Sequence, residues 1–279
     1  MVTSPHMPPA KYHLPPAAIT LRDVTLSFDE KRVLQEVSFE VPPAGTLVLL
    51  GVSGSGKSVV LKLMLGLLKP DSGEVRIDGQ DIVPLGETEM NAIRRRMGIV
   101  FQEGALFDSL SVYENVSYCL REQGGLGEEE TRERARQVLG FVEMEDAIDK
   151  MPAELSGGMR RRVAIARAII TQPRIMLYDS PTAGLDPVTA HTINSLIVKS
   201  RDVQHATSVI VTHRIQDAVM ISGFSYSRET QGLVPVAKSG DDSGNYMRLL
   251  VLRDGTVYFQ GTWHELVESE DPYVRRFGE

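Results

Sequence analysis

The chain has 279 residues, 42% hydrophobic and 24% charged, with a formal net charge of −7; this is room for one large domain or two small ones and for a sizeable core. The acidic balance argues against a nucleic-acid binder that works through a broad cationic face. The single cysteine, Cys119, forbids an internal disulfide and reads as a small buried hydrophobe, and no run of about 18 apolar residues marks a membrane span.

Residues 1–16 carry five prolines and no apolar signal-peptide core, so a disordered tail is expected over 1–17. Residues 19–28 and 37–41 read as strands, the second closed by Pro42 and Pro43. A short apolar run at 46–50 reads as a buried strand, and 59–65 as a helix. A turn at 69–73, a strand at 74–77 and a helix at 87–96 follow, then an apolar strand at 97–101 that ends at Gln102. Helices at 112–122 and 128–141, separated by the glycine-rich 124–127, form an inserted helical portion. A helix at 156–170, a strand at 174–179, a helix at 187–201 and a strand at 207–212 come next. Residues 224–246 read as an extended or partly disordered loop. Strands at 248–253 and 256–260 flank the hairpin signal Asp254-Gly255, and a helix at 263–268 brings in Trp263 as a packing residue. Strands alternating with helices predict a mostly parallel sheet.

Between the strand at 46–50 and the helix at 59–65 lies Gly51-Val52-Ser53-Gly54-Ser55-Gly56-Lys57-Ser58. It matches the phosphate-loop pattern G-x-x-x-x-G-K-[ST] in the strand–loop–helix context that the pattern requires. Glycines let backbone N–H groups turn inward around phosphate oxygens, and the helix N-terminus adds unpaired N–H groups and partial positive charge. Lys57 is expected to reach the β/γ-phosphates and Ser58 to ligate Mg²⁺. The apolar strand ending in Tyr178-Asp179 is expected to bring Asp179 to the same metal shell. Leu155-Ser156-Gly157-Gly158-Met159 opens a helix with a hydroxyl and free N–H groups, a second anion-recognition surface. Arg160, Arg161 and Arg162 read as a solvated or structural face.

These motifs together resemble the nucleotide-binding subunits of ABC transporters, whose signature is usually LSGGQ, so Met159 is a departure. The resemblance runs from about Ile19 to Gln260. It implies an α/β P-loop NTPase fold of ABC type: a RecA-like, mostly parallel sheet core, an N-terminal antiparallel β subdomain and an inserted α-helical subdomain. It implies a domain over 18–262, with the helical subdomain at about 103–155, the signature helix to about 171, and a short tail over 263–279. It also implies ATP and Mg²⁺ as ligands. The ATP contacts would be Phe28 against adenine, the phosphate loop (Gly51, Ser53, Gly54, Ser55, Gly56, Lys57, Ser58) with Val59, and Ser156, Gly157, Gly158 and Asp186 across a dimer interface. Phe28 also reads as a core aromatic. The metal shell would be Ser58, Gln102 and Asp179. Gln102 is similar to the Q-loop glutamine, residues 183–186 to the D-loop, and His213 to the switch histidine.

Residues 101–116, the LSGGM signature and the ending at 273–277 resemble more closely the ATPase of Mla-type phospholipid transport systems. The resemblance implies a dimer of ATPase subunits, identical or pseudo-symmetric. It implies a transmembrane permease seated near 102–116, a lipid-binding partner protein, and a place on the cytoplasmic face of the bacterial inner membrane, with no nucleic acid.

One position breaks the pattern. Family members that hydrolyse ATP carry Glu after the strand-ending Asp, and here it is Ser180. A hydroxyl is no carboxylate base near neutral pH, and a general base contributes about 10²- to 10⁴-fold. Two readings stay open: a subunit that binds ATP but hydrolyses poorly, serving to regulate or scaffold, or a base supplied from elsewhere. Glu103, directly after Gln102, is the candidate base, and is equally a solvated loop residue that contacts the permease. The expected catalytic set is therefore Glu103, His213, Gln102 and Lys57. An ABC-type ATPase without a permease, acting in translation or DNA repair, is disfavoured because tandem cassettes and long coiled coils are missing.

Overall fold

The structure is a computed structural model that describes residues 17–236, 246–275 and 277. The expected tail at 1–16, and 237–245 of the expected loop, lie outside the described residues.

In chain order, β1 (Ile19–Phe28) turns into β2 (Lys31–Val41). β3 (Thr46–Leu50) leads through the glycine loop into α1 (Lys57–Met64). β4 (Ser72–Ile77), β5 (Gln80–Asp81), α2 (Glu87–Arg94) and β6 (Met97–Val100) follow. The helical insert holds α3 (Val112–Gln123) and α4 (Glu128–Phe141), and α5 (Gly157–Ile169) returns to β7 (Ile175–Asp179). Then come α6 (Pro187–Gln204), β8 (Thr207–Thr212), α7 (Ile215–Gly223) and the pair β9 (Phe224–Ser227) and β10 (Gly232–Pro235). The described chain closes with β11 (Met247–Arg253), β12 (Thr256–Gly261), α8 (Trp263–Val267) and α9 (Pro272–Arg275).

A four-stranded antiparallel sheet runs β2-β1-β4-β5, and a six-stranded sheet runs β12-β11-β3-β8-β7-β6. The latter is parallel except at the β11–β12 hairpin. Its inner strands are apolar on both faces because both faces are covered. On one face Leu47, Leu49, Leu177, Val209 and Val211 meet α1 and the antiparallel sheet. On the other, Val48, Leu50, Met176, Tyr178 and Ile210 meet α3 to α6. Period-two alternation thus feeds two separate cores, and it puts α1 and α5 on opposite sides of the sheet.

Three expectations change, and one open alternative closes. β2 starts at Lys31 rather than 37, because its pairing with β1 is broken by register shifts that hide the alternation. Residues 224–235 form the β9–β10 hairpin instead of an irregular loop. It is held on α6 by the Tyr226 N–H donating to Asp202 Oδ2 at 2.6 Å and by Arg201 Nη2 donating to the Phe224 carbonyl at 2.8 Å. Cys119 is exposed: the buried face of α3 follows Val112, Val116 and Leu120, and Cys119 falls outside it beside Tyr118. Phe28 is 45% exposed at the end of β1 and is no core aromatic. Trp263 is half-buried against the core, as expected of a packing residue.

Candidate functional site

The register of the central sheet assembles the site. Leu50 pairs with Thr212, Asp179 with Val211 and Val100 with Tyr178. The next residues along each strand, Gly51, His213, Ser180 and the Phe101-Gln102-Glu103 loop, therefore emerge along one carboxyl edge. Open α/β sheets bind their ligands at that edge.

The glycine loop is shaped by close approaches that a side chain would block. A Cβ on Gly51 would lie 2.6 Å from the Leu252 carbonyl oxygen, and one on Gly56, at φ 102°, would lie 2.6 Å from Leu34 Cδ2. Gly56 is the N-cap of α1 and offers no side-chain cap, so the first N–H groups of the helix are left for a ligand. Ser53 and Gly54 are exposed at the loop tip, Ser55 is buried beneath it, and Val59 is half-buried on the first turn. Lys57 is 8% exposed, and its ammonium donates to the carbonyls of Gly51 and Val52 at 2.8 Å each and to Ser55 Oγ at 3.4 Å. Burial pushes its pKa below the ordinary lysine range, and the nearby Asp179 carboxylate partly offsets this.

Ser58 Oγ donates to Asp179 Oδ1 at 3.4 Å, and Ser180 Oγ donates to the same oxygen at 3.3 Å. A hydroxyl and a carboxylate facing one another are the hard oxygen donors that Mg²⁺ takes beside substrate phosphates, so these two residues fit that ion. Gln102 and Glu103 are exposed on the loop beyond β6, and His213 is exposed beyond β8. No group of three His, Cys, Asp or Glu side chains suited to a metal occurs among the described residues.

The signature segment sits apart. Ser156 caps α5 by accepting from the Met159 N–H at 3.2 Å, while Gly157 is exposed and Gly158 is buried under Thr189 of α6. Asp186 caps α6, accepting from the N–H groups of Val188 and Thr189 at 3.0 Å each. The Thr189 hydroxyl holds its carboxyl below the usual range.

Sequence reasoning missed the groups that hold these loops together. Arg161 is 5% exposed and donates to the Phe101 carbonyl at 2.9 Å and the Ala183 carbonyl at 3.3 Å, tying α5 to the loops after β6 and β7. Burial lowers its pKa, against the field of Glu103. Arg167 donates to the carbonyls of Ala105 and Gly104 at 2.8 Å each. Arg161 thus belongs to the structural reading of its run, buried rather than solvated. Asp217, fully buried, accepts from three side chains on three segments. Only their partners identify such residues, and these partners lie far away in sequence.

The profile of the ABC transporter family matches residues 34–183. A probable ribonucleotide transport ATP-binding protein, mkl, of Mycobacterium leprae is 41% identical over 260 residues, covering 93% of this chain and 68% of that protein. The intermembrane phospholipid transport system ATP-binding protein MlaF of Haemophilus influenzae is 32% identical over 259 residues, covering 93% of this chain and 89% of its own. Among solved structures, a dimeric ATP-binding cassette in a post-hydrolysis state with ADP and phosphate superposes with a TM-score of 0.73. It is 32% identical and covers 88% of this chain and 98% of that one.

Proposed function

The chain belongs to the ABC transporter family as an ATP-binding subunit, and on that premise we propose that two such subunits sandwich two ATP molecules to drive a phospholipid permease. The observation that carries the proposal is the separation of α1 and α5 on opposite faces of the central sheet. Each ligand surface is then a half-site, completed by the other subunit.

The working domain is 18–262, with the helical insert at 103–155 and with Leu266 and Val274 of α8 and α9 packed into its core. The phosphate loop, Lys57 and the α1 N-terminus bind the triphosphate, and Phe28 stacks on adenine at the open end of β1. Ser58, Asp179 and Gln102 would hold Mg²⁺, which would supply neutralisation of the charge that develops on the phosphates. Ser156, Gly157 and Gly158 of the opposing copy close over the γ-phosphate, and the loop at Asp186 crosses the interface. His213 holds the γ-phosphate.

Glu103 replaces the missing carboxylate. It stands on the next strand end to Ser180 along the same sheet edge, and positioning rather than covalent chemistry dominates phosphoryl transfer. Closure moves the segment at 102–116 and the permease helix seated on it. The subunit lies on the cytoplasmic face of an inner membrane through that permease. Among the described residues no helix is long and apolar enough to cross a membrane itself.

The phospholipid cargo rests on the MlaF relative and on the 101–116 and LSGGM segments; the mkl relative carries a different cargo in its name. The test is to reconstitute the subunit with its permease in vesicles and follow ATP-dependent transfer of labelled phospholipid. Transfer that requires Lys57 is expected. Turnover without lipid transfer rejects the cargo, and ATP binding without turnover favours a regulatory or scaffold subunit.

A further inference from the structure

Asp217 is 0% exposed at the start of α7. Its Oδ2 accepts from the hydroxyls of Thr182 and Thr212 at 2.6 Å each, and its Oδ1 accepts from Asn194 Nδ2 at 2.8 Å. These three donors are themselves buried, at 0%, 1% and 2% exposure, so no water competes for the bonds. Thr182 is in the turn two residues after Ser180. Thr212 ends β8 and directly precedes His213. Asn194 is on α6, whose first turn is capped by Asp186. A second link runs in parallel: the Arg214 N–H donates to Thr212 Oγ1 at 3.0 Å, and Arg214 Nη1 donates to the Thr182 carbonyl at 3.1 Å.

We infer that Asp217 is a positioning residue that couples the His213 segment to the α6 loop facing the opposing subunit. The inference rests on the two-subunit reading above. When His213 takes up the γ-phosphate, the end of β8 shifts. Thr212 carries Asp217 with it, and Thr182 and Asn194 follow because both are bonded to the same carboxylate. The loop at 183–186 then moves toward the other copy, so that occupancy of one site is felt at the second. Asp217 touches no nucleotide in this scheme. It acts only through the groups that do.

Two variants test it: Asp217→Asn, which replaces one acceptor oxygen by a donor, and Thr182→Val, which removes a single donor and keeps the carboxylate. Both are first checked for a cooperative melt. Fluorescent ATP analogue titration at a protein concentration that keeps the subunit monomeric reads binding to the phosphate loop. Light scattering against a slowly hydrolysed ATP analogue reads dimer formation, and permease-bound turnover gives the Hill coefficient. Both variants are expected to bind nucleotide as wild type does. The nucleotide concentration needed for dimerisation is expected to rise about tenfold, within the usual range of a coupling factor, and the Hill coefficient to fall toward one.

A wild type that dimerises and variants that match it in midpoint and Hill coefficient overturn the inference alone. An equal loss of monomer binding makes the cluster merely structural and also overturns it. A wild type that fails to dimerise brings down the two-subunit reading, and this inference with it.

Discussion

Ser180 takes a φ of 47°, a left-handed conformation that costs a side-chain-bearing residue about 1–2 kcal/mol, and directs its hydroxyl to Asp179. It therefore holds the Asp179 carboxylate, and on the proposed function the base comes from another group. Glu103→Gln is expected to lower turnover of the assembled transporter about 10²-fold or more with ATP affinity unchanged, and adding Ser180→Glu to restore part of it. Steady-state turnover checks both, and an unchanged rate in Glu103→Gln rejects that base. Lys57 makes a pH prediction. Burial lowers its pKa in the free chain, and a bound triphosphate raises it again. ATP binding at alkaline pH should take up protons and weaken as pH rises. Calorimetry in buffers of different ionisation enthalpy measures the uptake, and no difference between buffers contradicts it. The glycine loop between β3 and α1 was legible in the sequence because motif spacing fixes it. The residues that hold the other loops were not, since Arg161 and Asp217 act through contacts with distant segments.

At the scale of elements, the segment at 102–116 runs from the loop after β6 into the first turns of α3. Ser111 caps α3 by accepting from the Glu114 N–H at 3.2 Å, and the Ser111 N–H donates to Glu114 Oε2 at 2.8 Å. Ser111→Ala should cost about 1 kcal/mol in urea denaturation. Asn115 is fully buried, donating to the carbonyls of Phe107 and Leu110 and accepting from the Phe107 N–H at 2.8 Å. Asn115→Ala leaves those groups unpaired, at about 1–3 kcal/mol. It should weaken permease binding, read by co-purification, while ATP binding holds; permease binding at wild-type strength contradicts the placement. Helices α3, α4 and α6 were legible as segments in the sequence, α6 running to Gln204 rather than 201. The β9–β10 hairpin was not, because Arg201 and Asp202 of α6 hold it in place.

For the whole molecule, the central sheet separates two cores and with them α1 from α5. That division follows from alternation within β3, β7 and β8, which burial on both faces conceals in the sequence. The decisive measurement mixes two dead variants in the assembled transporter. Lys57→Ala disables the phosphate loop. Gly157→Asp is expected to disable the signature; Gly157 is exposed and a Cβ there meets only Leu185 Cδ2 at an ordinary 3.6 Å. Sites shared between copies predict that each homodimer traps no nucleotide, while the mixed dimer traps one per pair, its intact loop facing its intact signature. A mixture as empty as its parents, with mixed dimers shown to form, would contradict the account.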